Sequence, residues 1–240
     1  MKIKILIIFL LLFQSFSAQE KELFKVVIMN KEKSEFKADY SSLKHKYNYF
    51  YEDENYIVKD SCRGEFGGAV EFRNKHTKKV YVTEATCPSS LIKINQKYYL
   101  TTSLAHMGGR SEIHEITDPT ELTELKASDT EREKYFKKKY DVGLKKLYEG
   151  GGTILVTFLY NNELFFITSE DDGTYLKKRN KAELIKIKKI LDKKVFTYES
   201  EIKVTSDNTF SNKFQFYKKN EFGLGIFEVK ENIIKINLYE

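Results

Sequence analysis

Leu91-Ile92-Lys93-Ile94-Asn95-Gln96-Lys97-Tyr98-Tyr99-Leu100 consists of two apolar strand ends joined by a short polar turn, and its form decides the fold. Runs of aromatic and β-branched residues bounded by polar turns are the signature of antiparallel hairpins. The same form recurs at residues 49–51 to 56–58, 156–160 to 164–167, and 214–217 to 222–224, with turns near 53, 96, 162 and 219. A fifth hairpin, residues 69–72 to 80–82, precedes the quoted one, and residues 113–117 supply a return strand after it. Several strands and a return are the order of one propeller blade, whose period is commonly about 40–50 residues. The expected fold is therefore all-β with one or two inserted helices. Its repeated antiparallel hairpins favour a β-propeller-like arrangement of four or five blades over a large sandwich or barrel.

Working outward, residues 23–29 read as a first strand, and the polar residues 30–46 as a partly helical connection. Residues 129–148 are charged, with Tyr135, Phe136, Tyr140, Leu144 and Leu147 near helical spacing, so a helical insertion is expected there. In residues 180–194, Asn180 and Glu183 resemble a helix start, and Leu184, Ile187 and Leu191 would share one face. Read as a strand, Ile185 and Ile187 alternate with lysines instead; the helix is the expectation. Residues 222–229 and 233–239 form a last hairpin.

Met1-Lys2-Ile3-Lys4 is basic, Ile5 to Phe13 is a nearly unbroken apolar run, and Gln14-Ser15-Phe16-Ser17-Ala18 follows. This is the pattern of a signal peptide over residues 1–18, cut after Ser17 or Ala18. It leaves a single β-rich domain over residues 19–240, exported to a periplasmic or extracellular location. The run is shorter than the roughly 20 apolar residues that span a bilayer, so no transmembrane segment is expected after removal. The net charge of +6 includes Lys2 and Lys4, and 32% of the residues are charged with both signs represented. That is an ordinary solvated surface and excludes nucleic acid as a partner. Export permits disulfides, and two cysteines allow one pairing, Cys62 with Cys87. Free thiols or two metal ligands are the alternatives, although a lone cysteine in each of two strands lacks zinc-site spacing.

Residues 62–119 hold both cysteines, both prolines, three of the five arginines and three of the four histidines, so the candidate site is sought there. His106 follows a strand, and Gly108-Gly109 permits positive φ and close backbone approach, with backbone N–H groups free to face an anion. Arg110 then stands at the rim, while Glu112 and His114 share one strand face by the two-residue period. Arg63 and Arg73 add planar forks suited to carboxylate or phosphate. The ligand-binding candidates are His106, Arg110, Glu112, His114, Arg63 and Arg73. A metal held by His106, Glu112 and His114 is chemically reasonable, but the spacing is not diagnostic, and no metal or cofactor is assigned.

Glu65, Glu71 and Glu84 are candidate acids and bases. No G-x-S-x-G is present, and His114-Glu115 lacks the second histidine of a zinc protease helix. Ser41-Ser42-Leu43-Lys44 and Ser206-Asp207-Asn208 match two of three penicillin-recognising motifs, but no Lys-Thr-Gly follows, and the match is discarded. Residues 177–194 carry nine basic residues against Glu183 and Asp192, which suits either an anionic surface or a solvated face, and the latter is expected. The sequence thus points to a binding or interaction module for a small anionic ligand, a glycan or an envelope protein. The alternative is a secreted hydrolase acting on glycan or peptide through carboxylates or a His-bound metal.

Overall fold

The computed structural model describes residues 22–105, 109–126, 128–129, 142–197, 202–218 and 221–240. Strand β1 (Lys25–Lys31) leads through a 3-10 turn at Lys33–Glu35 into a single short helix, α1 (Phe36–Ser42), so the connecting segment is partly helical as its composition implies. Almost everything after it is strand, in four sheets. Sheet I contains β2 (Tyr51–Glu52), β3 (Tyr56–Cys62), β4 (Gly68–Asn74) and β5 (Val80–Glu84), extended by β9 (Thr123–Leu125). Sheet II contains β6 (Pro88–Ile94), β7 (Lys97–Leu104) and β8 (Arg110–Ile116), with β10 (Lys145–Gly151) beyond β8. Sheet III is the meander β11 (Thr153–Tyr160), β12 (Glu163–Glu170), β13 (Gly173–Asn180) and β14 (Glu183–Leu191).

Sheet IV contains β15 (Val195–Phe196), β16 (Lys203–Val204), β17 (Phe210–Lys218), β18 (Glu221–Lys230) and β19 (Ile233–Tyr239). Strand β1 lies parallel to β19, with Lys25 beside Ile233 and Lys31 beside Tyr239. The other strand pairs named here are antiparallel, and all five expected hairpins and the closing one form. Two of the turns, Asn95-Gln96 and Asn161-Asn162, have both residues at positive φ. This turn geometry matches the right-handed twist of paired strands, and asparagine tolerates it well.

Side-chain alternation sends each inner sheet's two faces into different cores. Val58, Val70, Phe72 and Tyr81 of sheet I meet Leu91, Tyr98, Leu100 and Ile116 of sheet II. The other face of sheet II offers Ile92 and Ile113 to Ile154, Leu164 and Phe166 of sheet III. Phe158, Phe165 and Ile167 then meet Phe214, Phe216, Phe227 and Ile236 of sheet IV. Full burial of one such side chain contributes about 1.5–3 kcal/mol, so these three cores hold the stack together. Sheet IV also reaches back to the segment entering sheet I: Lys46 N–H donates to the Val204 carbonyl at 2.7 Å, and Val204 N–H donates to His45 Nδ1 at 2.9 Å.

The helix expected over residues 180–194 is instead β14. Register shifts along its pairing with β13 leave Ile187 and Ile190 without a partner of their own. Each such bulge interrupts strict alternation, and the resulting spacing of three imitates a helix face. The basic residues of the same stretch are mostly neutralised: Lys178 pairs with Glu163, Lys186 with Glu170, Lys188 with Glu22 and Lys194 with Asp171. Of the helix expected over 129–148, residues 130–141 lie outside the described residues, and its end from Lys145 is β10. Leu144 and Leu147 pack into different cores, the first between sheets I and II and the second between sheets II and III, which one helix face would not allow.

Cys62 and Cys87 are bonded, with Cα atoms 4.2 Å apart, and staple the end of β3 to the entry of β6. Gly68 lies opposite Cys62 in the β3–β4 register, where an added Cβ would fall 2.1 Å from the Ser61 carbonyl oxygen and 2.6 Å from that of Ala85. No other residue fits there without moving backbone. Replacing both cysteines by serine is expected to cost about 3 kcal/mol through loop entropy and to lower the melting temperature by roughly 6–12 °C in thermal denaturation, with far-ultraviolet dichroism unchanged below the transition.

Candidate functional site

A cleft of about 570 Å³ opens between the disulfide-stapled end of sheet I and the face of sheet II that carries Arg110, Glu112 and His114. Glu65 and Thr86 line it from the sheet I side, and Thr102 and Leu104 line it from β7. Three local features place the β8 side chains. Gly109 has a φ of +86°, and a Cβ there would meet the Gly152 carbonyl carbon at 2.8 Å, so the chain turns tightly against the β10–β11 corner just before Arg110. From that fixed point the two-residue period sends Arg110, Glu112 and His114 to the cleft, and Ser111 and Ile113 to sheet III. Behind them, Ser103 and Ser111 both accept the Ile154 N–H through their hydroxyls, at 3.1 and 3.0 Å, which locks β7 and β8 to sheet III.

The third feature is a bulge in β10. Lys146 lies opposite His114 and Glu149 opposite Glu112, with a register shift between Lys146 and Tyr148. Residues three apart point to opposite faces of a regular strand, and the extra residue at Leu147 brings Lys146 and Glu149 to one face. The result is a connected ionic cluster. Arg110 donates to Glu112 Oε1 at 2.9 Å and to Glu149 Oε1 at 2.5 Å. Lys146 donates to Glu149 Oε2 at 2.7 Å and to Glu112 Oε1 at 3.4 Å. Glu112 Oε2 stands 3.0 Å from His114 Nε2.

Glu112 is mostly buried, with 12% of its side chain exposed. The His114 hydrogen bond outweighs that burial, and with the charges of His114, Lys146 and Arg110 it holds the carboxyl down to about 2. An ionised carboxylate only accepts, so His114 donates from Nε2, which leaves Nδ1 as its other polar atom. That Nδ1 is buried and has no partner in the protein. Arg110 and Lys146 balance Glu112 and Glu149, so the exposed part of the cluster offers hydrogen-bonding groups of both signs. Glu112 cannot serve as a general acid at neutral pH, since it carries no proton to give.

Arg110, Glu112 and His114 thus converge, as their spacing implies. His106 lies outside the described residues, as does the backbone concavity expected at Gly108. Arg63 sits on the exposed loop that also carries Glu65, and Arg73 is exposed on β4 opposite Ile57 and Val80, several residues along the strand from Gly68; neither lines the cleft with Arg110. Of the candidate acids Glu65 reaches the cleft, whereas Glu71 and Glu84 lie along β4 and β5 outside it. Lys146 escaped the sequence reading because residues 129–148 were expected to be helical, and Glu149 because it lies just past that segment; the bulge at Leu147 breaks the alternation that would have marked both as strand. Among the described residues no group of three histidine, cysteine, aspartate or glutamate side chains is placed to hold a metal ion. No known protein family, curated protein or solved structure matches the chain.

A carboxyl depressed in the folded state contributes stability above its unfolded value near 4.5 and loses it as the pH falls toward 2. Denaturant titrations across pH 2–5 are therefore expected to show a loss on the order of 2–3 kcal/mol in the parent protein that Glu112→Gln lacks. At pH 7 the same variant is less stable than the parent.

Proposed function

We propose that the protein is an exported, β-propeller-like binding module that takes an uncharged glycan in the Arg110–His114 cleft. The carrying observation is a charge-balanced cluster whose exposed members, Arg110, Lys146 and Glu149, set donors and acceptors side by side at the cleft. Such a surface calls for a ligand that both donates and accepts, as a sugar hydroxyl does and a fully ionised anion does not. Arg110 and Lys146, each already held by two carboxylate contacts, offer little to a free anion. Of the three partner classes the sequence leaves open, a glycan fits these groups best.

The propeller-like reading draws support from four successive sheets stacked in chain order, with β1 completing the last and residues 45–46 tying it to the first. Export draws support from the leader pattern of residues 1–18 together with the disulfide, which persists in oxidising compartments. Among the described residues no helix is long and apolar enough to cross a membrane. A hydrolase is the second reading, favoured by two carboxylates, Glu65 and Glu112, in one cleft. It ranks lower because Glu112 is already ionised and engaged, which leaves the pair without an identified acid.

Glycan-array binding followed by calorimetry tests the proposal. Neutral oligosaccharides are expected to bind with affinities insensitive to added salt, because no net charge is neutralised. His114→Phe, which keeps a ring but releases Glu112 from its hydrogen bond and so disturbs the cluster, is expected to weaken them by about tenfold, the scale of one good hydrogen bond. Salt-sensitive binding of anions alone, or full affinity in His114→Phe, would reject the site. Cleavage of a bound oligosaccharide, lost in Glu65→Gln, would move the assignment to the hydrolase.

A further inference from the structure

A second cleft, of about 790 Å³, lies where all four sheets meet, toward the Asn95-Gln96 turn of the β6–β7 hairpin and away from the end that carries Leu104. Lys46 and Tyr47 enter it from the segment before sheet I, Tyr51 from β2, and Tyr160, Asn161 and Asn162 from the end of β11 and its turn. Its polar groups divide sharply into spent and unspent. Lys93 is held by Asp53 at 2.9 Å and Glu54 at 2.6 Å. Lys230 is held by Asp207 at 2.7 Å, and Asp207 also accepts from Thr205 and Thr209. Glu231, the remaining carboxylate on this wall, adjoins Lys230 in the chain and adds to its field.

Lys46 differs from the other two lysines. Its ammonium has three donors and, among the described residues, uses one, to Asn208 Oδ1 at 2.9 Å, with no carboxylate in ion-pair range. Its other contact is the face of the Tyr47 ring, at 4.9 Å from the centroid. The side-chain amides of Asn161 and Asn162 and the hydroxyls of Tyr47, Tyr51 and Tyr160 form no hydrogen bond within the described structure, and burial keeps the Tyr47 phenol protonated up to about 12. The cleft therefore gathers an uncommitted cation, three phenol donors and two free amides, with aromatic rings as its apolar wall. A ligand matching this set is rich in acceptors, carries one negative charge, bears hydroxyls for the amides and offers a C–H face to the rings.

We propose that this junction is a second binding site, for an acidic sugar of the uronic acid class, whose carboxylate pairs with Lys46 and whose hydroxyls bond Asn161, Asn162 and the tyrosines. It is independent of the Arg110–His114 cleft. The Asn161-Asn162 turn contributes its amides because both residues hold positive φ, which fixes the tip of the hairpin against the cleft.

Calorimetric titration of the full chain with glucuronic and galacturonic acids, glucose, galactose and inorganic phosphate tests this. The uronic acids are expected to bind at least about tenfold more tightly than their neutral parents, the scale of one charge-assisted pair. Lys46→Met should erase that preference, and Arg110→Ala should leave it unchanged. Asn161→Gly with Asn162→Gly keeps the left-handed turn while removing both amides, and should weaken uronate binding about tenfold with the melting temperature nearly preserved. Absence of uronate binding, equal binding of glucose, or an unaltered Lys46→Met variant would overturn the site. Phosphate binding as tightly as the uronic acids would overturn the sugar assignment and leave a bare anion contact.

Discussion

The parallel pairing of β1 with β19 is the constraint on which the arrangement of the four sheets depends. Within each sheet most neighbours are also neighbours along the chain, so hairpins form with short closures. The β1–β19 ladder joins segments from the two extremes of the described chain, in register over seven residue pairs. It also delivers Phe24, fully buried, into the core between sheets III and IV, where its ring meets Phe158 edge-on at 5.6 Å and Phe165 at 4.8 Å. Because loop-closure entropy grows only logarithmically with length, a distant pairing of this kind costs little more than a nearer one once the strands are ordered. With the His45 and Lys46 contacts to Val204, it brings the fourth sheet beside the segment that enters the first, and the junction cleft exists only because of that return.

The two clefts are built from similar residue types and differ in how those residues are used. Around Glu112 each cation has found two carboxylate oxygens, and what remains uncommitted is a single imidazole nitrogen. At the four-sheet junction Asp53, Glu54 and Asp207 are spent on Lys93 and Lys230, Glu231 stands beside Lys230, and what remains opposite them is a cation with donors. Composition alone does not separate these cases, since both hold lysine, acid and aromatic or imidazole groups. The distinction lies in which partners the strand registers bring within hydrogen-bond reach.

Strand signals were legible because aromatic and β-branched runs leave few alternatives, and every hairpin read from Tyr49 to Tyr239 is found paired. The face shared by Arg110, Glu112 and His114 was legible for the same reason, since alternation is local. What the sequence concealed came from bulges. In β14 the unpaired Ile187 and Ile190 produce helix-like spacing, and in β10 the extra residue at Leu147 does the same while re-aiming Lys146. A bulge is a property of two strands, so neither segment could reveal it without its partner. The arginines grouped by rarity do not share one cleft: Arg63 lies on the loop after β3 and Arg73 on β4, while Arg110 lies on β8 of sheet II.

The same bulges bear on how the molecule behaves among its own copies. Among the described residues strand β14 is hydrogen-bonded on one side only, and Ile185 and Ile187 on it are 43% and 41% exposed. A flat apolar edge of this kind would recruit a strand from another molecule and seed a growing ribbon. Two interruptions of the ladder deny an incoming strand a continuous row of partners, and the flanking ion-paired Lys186, Lys188 and Lys189 surround it with polar side chains. The irregularity that disguised this segment as a helix is thus also a feature that works against strand pairing along the outer rim of the third sheet.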